Sequence, residues 1–176
     1  QPGEKRSLVM PDKRRTAAII GGGVIGSGWA TRFLLNGWNV RFFDPSPDAE
    51  RILHAVIARG REAMPALCDA VPIEGSLHIA TSTGDAVEGA LYIQESTPER
   101  IEVKQAVLKS IQESCNANAI VASSTSGFMP SELQQGALRP EQIIVSHPYN
   151  PVYLLPLVEV VASPAVPAEV TQRASD

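Results

Sequence analysis

Cysteine is scarce in this chain. The two present, Cys68 and Cys115, stand at no spacing that a metal site or a redox pair uses. A reducing compartment, the cytoplasm, is therefore expected, and no metal. No apolar run approaches the length that crosses a bilayer, and the first residues contain no signal-peptide core. Charge of one sign is not in excess either: the formal net charge is −4 and the pI about 5.4. Neither value gives nucleic acid or an anionic membrane an electrostatic reason to bind. Internal repeats and low-complexity linkers are absent from the sequence. What remains is a chain of 176 residues, 44% hydrophobic and 19% charged. That composition excludes disorder and fibrous classes and suffices for one domain with a core. The basic cluster Lys5, Arg6, Lys13, Arg14 and Arg15 reads as a solvated arm, residues 1–15, ahead of the first strand.

Short β-rich runs alternate with helical patterns. Strands are expected at 16–20, 39–44, 77–81, 90–95, 119–124, 142–147 and 156–161. Helices are expected at about 24–36, 47–66, from Pro98 onward, near 130–136 and over 167–175. In the helix after Pro98, Val103, Val107, Leu108, Ile111 and Cys115 would form the apolar face. Near-continuous apolar strands separated by helices predict an α/β fold, a Rossmann-type, doubly wound, mostly parallel sheet over 16–176. A helix beginning at Pro167 should lead to another strand, so the domain is expected to be cut before its last one.

"IIGGGVIGSGWA" (19–30) places G-x-G-x-x-G at Gly21, Gly23 and Gly26, after an apolar strand and at the start of a helix. The first glycine permits a tight turn, the second a close approach of pyrophosphate, the third close helix–strand packing. The helix N-terminus offers free N–H groups and a positive dipole end. The loop Gly21, Gly22, Gly23, Val24, Ile25 and Gly26 is thus a candidate phosphate cradle. The next strand ends in Asp44, placed to accept the adenosine ribose hydroxyls and to repel a 2′-phosphate. Pro45 follows it rather than an arginine. NAD is the expected cofactor.

"SHPYNPVYLLPLVEVV" (146–161) sets His147 beside Pro148, with Glu159 twelve residues on. Strand ends in such a sheet face the ligand crevice, and both His147 and "SSTSG" (123–127) fall at strand ends. One reading is alcohol oxidation: His147 as general base, Ser126 on the reacting oxygen, and Glu159 orienting the imidazole. The other is a core histidine satisfied by a carbonyl, with Glu159 on an exposed edge. Spacing leaves both open.

Four motifs in order, "GGGVIGSGWA", "QESTPERIEVKQAVL", "SSTSGFMPSEL" and "HPYNPVYLLPLVEVV", resemble the 3-hydroxyacyl-CoA dehydrogenase superfamily from about Thr16 to Asp176. They look most like its carnitine-oxidising branch. The resemblance implies a catalytic serine at Ser126, the histidine at His147 and its partner at Glu159. It implies cofactor contacts at the 21–26 loop, Asp44, Glu99, Lys104, Ser126 and Asn150. It implies further a helical C-terminal domain, supplying homodimer contacts and an active-site asparagine, that these residues do not include; alone they should bind NAD yet turn over poorly. Ser124 stands where hydroxyacyl-CoA enzymes usually have asparagine.

Those enzymes also carry a lysine-rich hairpin against the CoA moiety, whereas 45–80 here contains no lysine. That favours a small free 3-hydroxy acid, L-carnitine, with Phe128, Tyr149 and Tyr153 as candidate faces for its quaternary ammonium. L-Gulonate or a 3-hydroxyacyl-CoA is the alternative substrate. A non-catalytic NAD-binding module and a crystallin-like structural role are the alternatives of another class.

Overall fold

The computed structural model describes residues 14–176; most of the 1–15 arm lies outside them. Of that arm, Arg14 donates to the Glu74 carbonyl at 2.8 Å and the Arg15 guanidinium lies 5.4 Å from the Trp38 ring centroid. Both side chains are exposed, each in contact with the body.

Seven strands form one sheet: β1 Thr16–Ile20, β2 Asn39–Phe43, β3 Leu77–Ile79, β4 Tyr92–Glu95, β5 Ile120–Ser123, β6 Ile143–Pro148 and β7 Val158–Val161. Their order is β3-β2-β1-β4-β5-β6-β7, with every pairing parallel except β6–β7. This is the doubly wound arrangement that the alternation predicts. Its order reverses between β1 and β4, the place where such sheets open a crevice.

The helices are α1 Val24–Leu35, α2 Ala49–Leu67, α3 Thr83–Val87, α4 Ile101–Ser114, α5 Pro130–Leu133 and α6 Ala168–Ser175. Side chains alternate across a strand, so Ile19 faces Leu34, Leu53 and Ile57 on the α1–α2 side. Ala18 and Ile20 face Val87, Leu108 and Ile111 on the other. A third cluster, Tyr92, Ile120, Ala122, Ile144 and Val166, packs with Val170 and Ala174 of α6.

Three details depart from the sequence reading. The short helix α3, capped by the Ser82 hydroxyl accepting from the Asp85 amide at 3.1 Å, was hidden in a loop too short for periodicity to mark. Pro98 does not open α4: the helix starts at Ile101, because the Pro98 carbonyl accepts from the Arg100 amide at 2.7 Å in a tight turn. The buried face of α4 is Lys104, Leu108, Ile111 and Gln112, while Val103 lines a cleft.

Leu108 is fully buried between α4 and the sheet. Leu108→Ala is expected to lower unfolding free energy by about 2–5 kcal/mol, measured by chemical denaturation; a smaller loss would place α4 loosely on the sheet.

Candidate active site

The first turn of the crevice is shaped by sterics. Gly21 has φ +103°, and a Cβ there would lie 2.6 Å from the Ser96 carbonyl carbon. A Cβ on Gly26 would come within 1.8 Å of the Gly21 oxygen. No side chain fits at either position. Gly23 differs: a Cβ would meet nothing within 4 Å, so nothing in the protein itself excludes a side chain there. The space beside it is what a close-approaching pyrophosphate needs. Asp44 accepts from the Gly22 amide at 2.6 Å and the Ser46 amide at 2.7 Å. A carboxylate has about four lone-pair positions, so two remain for ribose hydroxyls. Gly21, Gly22, Gly23, Asp44, Val103 and Val107 line a cleft of about 820 Å³, with apolar walls suited to an adenine ring. The residues present fit a dinucleotide.

Ser96 and Thr97 join this cleft to a second one of about 290 Å³, lined also by Ile25, Glu99, Ser126 and His147. His147 on β6 and Glu159 on β7 are directly opposed in the antiparallel register. Their side chains meet, Nδ1 to Oε2 at 2.9 Å. An ionised carboxylate only accepts, so Nδ1 carries the hydrogen, and in the neutral imidazole that tautomer leaves the lone pair on Nε2. The side chains are 29% and 54% exposed, so the pair stands at a rim and not in the core.

Ser126 sits in a turn held by Glu99. Oε1 of Glu99 accepts from the Thr125 hydroxyl, from the Ser126 amide at 3.2 Å and from the Gly127 amide at 3.1 Å. Partial burial pushes the Glu99 carboxyl up, but the Thr125 hydroxyl, the Lys104 charge and the Gly127 amide outweigh it and hold it below the ordinary carboxylate range. The ammonium of Lys104, 1% exposed, contacts Glu95 at 3.0 Å, the Thr97 carbonyl at 3.1 Å and Glu99 at 3.3 Å. Four oxygens from three residues, both of Glu95's among them, hold it in place.

The aromatic candidates separate. Phe128 packs partly against the core and lines a groove that contains Ser126, His147 and Glu159. The Tyr149 hydroxyl donates to Glu159 Oε1 at 3.2 Å, its ring edge-on to His147. The charge of Glu159 raises the Tyr149 phenol above its ordinary range. Tyr153 is not in the group: its ring lies beside Gly60 of α2, on the face away from Leu108, because the chain turns back after Pro151. Asn150 is exposed in the loop after β6, joined to Pro151 by a cis peptide bond. Val24 is exposed at the start of α1. Another cavity, of about 440 Å³ beside Trp29, Trp38 and Tyr92, contains none of the candidate site residues. Sequence reasoning missed Glu95, a fully buried carboxylate. Its signal was present: an acidic residue at the end of an apolar strand with a lysine nine residues on.

Fold and cleft together define a dinucleotide-binding domain with a histidine–carboxylate pair at the far end of the crevice. Residues 16–176 match the family model of the 3-hydroxyacyl-CoA dehydrogenase NAD-binding domain, and the chain belongs to that family. Its cofactor is NAD. The L-carnitine dehydrogenase/betainyl-CoA thioesterase of Ruegeria pomeroyi is 59% identical over 162 residues, 92% of this chain and 33% of that protein. The L-carnitine dehydrogenase of Oceanobacillus iheyensis is 46% identical over 162 residues, 92% of this chain and 53% of that protein. Among solved structures, FHMPC 5-dehydrogenase, an NAD+-dependent dismutase, superposes with TM-score 0.85 at 32% identity over 93% of this chain and 53% of that one. The 3-hydroxybutyryl-CoA dehydrogenase of Escherichia coli gives 0.78 at 26% identity over 91% and 34%. The chain thus spans a third to a half of the length of these relatives.

Two substitutions test the site. Lys104→Met leaves Glu95 buried without a counter-charge and is expected to cost about 3–5 kcal/mol in denaturant unfolding. Asp44→Ala should weaken NAD binding and relax discrimination against NADP; an unaltered NAD-to-NADP preference in binding titrations sinks the ribose assignment.

Proposed function

We propose that this domain serves the NAD-dependent oxidation of the 3-hydroxyl of a small 3-hydroxy acid, L-carnitine, to the 3-keto acid. One observation carries the reading: His147, with its Nδ1 hydrogen on Glu159, shares with Ser126 a cleft that has Ser96 and Thr97 in common with the dinucleotide cleft. Alcohol oxidation removes a proton from oxygen and a hydride from carbon, and bound NAD+ supplies the hydride acceptor. His147 Nε2 takes the proton. Glu159 fixes the tautomer that leaves Nε2 unprotonated and stabilises the imidazolium that forms. Ser126, its turn fixed by Glu99, donates to the reacting oxygen.

Three observations favour carnitine over a CoA ester. Relatives at 59% and 46% identity are named for L-carnitine. The 45–80 segment folds as the single helix α2 and an irregular return to β3, and it offers no lysine to a polyanionic tail. Glu159 and the rings of Phe128 and Tyr149 stand beside His147, the chemistry a quaternary ammonium seeks.

The test offers the protein L-carnitine, L-gulonate and a 3-hydroxyacyl-CoA, with NADH formation as readout. Turnover is expected on L-carnitine, and His147→Gln should lower it about 10²–10⁴-fold with little change in NAD affinity. Turnover confined to the CoA ester discards the substrate; an unchanged rate in the variant discards the base.

A further inference from the structure

Three polar side chains at or beneath the 290 Å³ cleft have no part in the site as described: Ser96 just after β4 and Ser124 just after β5, which line it, and Gln94 of β4. Gln94 is fully buried. Its Nε2 donates to the Ser124 hydroxyl at 2.7 Å and to the Ser146 carbonyl at 3.2 Å. A carbonyl can only accept, so Ser146 fixes which end of the amide is NH₂, and both amide hydrogens are engaged. Ser124 is therefore an acceptor from Gln94 and keeps its own hydrogen.

The Ser96 and Ser124 hydroxyl oxygens are 2.8 Å apart. Two hydroxyls own two hydrogens, and one of these spans the pair, whichever serine donates it. The second is left over, with no acceptor among the hydrogen bonds of the described residues. Both serines line the cleft that holds Ser126 and His147, so that hydrogen is available to whatever occupies it. Asp44 marks the adenosine end of the crevice in the other cleft, which leaves the nicotinamide half of the cofactor here.

We infer that the Ser96–Ser124 pair is a positioning site for the nicotinamide of NAD, donating one O–H to its carboxamide oxygen. Gln94, buried beneath, makes the pair a donor by presenting one hydrogen to Ser124 from below. An outward-pointing O–H suits a carbonyl and repels a cation, so this floor also steers the substrate ammonium elsewhere. The inference concerns cofactor binding and is independent of which alcohol is oxidised.

Calorimetric titration of the 176-residue protein tests it, with NAD+ and with ADP-ribose, which lacks the nicotinamide. Each single alanine variant leaves one hydroxyl facing the cleft, so the informative protein is the double variant Ser96→Ala/Ser124→Ala. It is expected to bind NAD+ roughly 3–12-fold more weakly, the loss of one neutral hydrogen bond, while ADP-ribose affinity stays the same. Equal weakening of both ligands, or no weakening of NAD+, overturns the inference. A second measurement needs no variant: thio-NAD+, whose thioamide sulfur is a poorer acceptor, should bind the unaltered protein several-fold more weakly than NAD+. Equal affinities overturn the inference whether or not the variant folds.

Discussion

The ion pair between Glu95 and Lys104 is the interaction on which the rest of the crevice depends. Glu95 ends β4, the strand beside the switch point, and is fully buried; Lys104 reaches it from α4 at 3.0 Å. Two opposite charges in so dry a place are tolerated only with their remaining hydrogen-bonding capacity satisfied. Here it is: the Thr97 amide and hydroxyl donate to Glu95 at 2.6 Å, and the Ser123 hydroxyl at 2.5 Å. The pair therefore ties β4, β5, α4 and the loop between the two clefts into one body. From it the order propagates outward: Lys104 to Glu99, and Glu99 to the turn bearing Ser126. Ser126, on an exposed loop, is thereby referenced to the sheet interior through two charged side chains.

The histidine side of the crevice is ordered by a different device. β7 runs against the direction of the other strands, and only an antiparallel partner closing back on β6 puts residues twelve apart in the chain directly opposite each other. The cross-strand distance then suits an imidazole and a carboxylate without help from the core. One wall of the cleft is fixed by burial and charge, the other by strand register.

Much of this was legible beforehand for reasons that can be named. The glycine spacing and Asp44 are backbone constraints, and backbone constraints write themselves into residue type. His147 and Glu159 were visible because both lie on strands, where position along the chain translates directly into position in space. The failures have the opposite character. Val103 looked like core, because helical periodicity names a face but not what that face meets. Val103 meets the cleft. Tyr153 went to α2 because a loop containing Pro151 and Pro156 turns in ways that spacing does not encode. The Gln94, Ser96 and Ser124 cluster could not be anticipated, since short polar side chains leave no periodic trace.

Gly23 has a consequence for how this domain tolerates change. Its φ is −68° with ψ near extended, a conformation alanine adopts freely, and the added methyl would touch no other atom. A screen that reports expression, melting temperature or protease resistance is thus blind to this position. The same methyl would fill the space that the second glycine of such a motif leaves for a pyrophosphate. Folding and ligand capture are separable at this residue, while at Gly26, one helical turn on, they are inseparable. A catalogue of tolerated substitutions built on stability alone would rank the two glycines far apart.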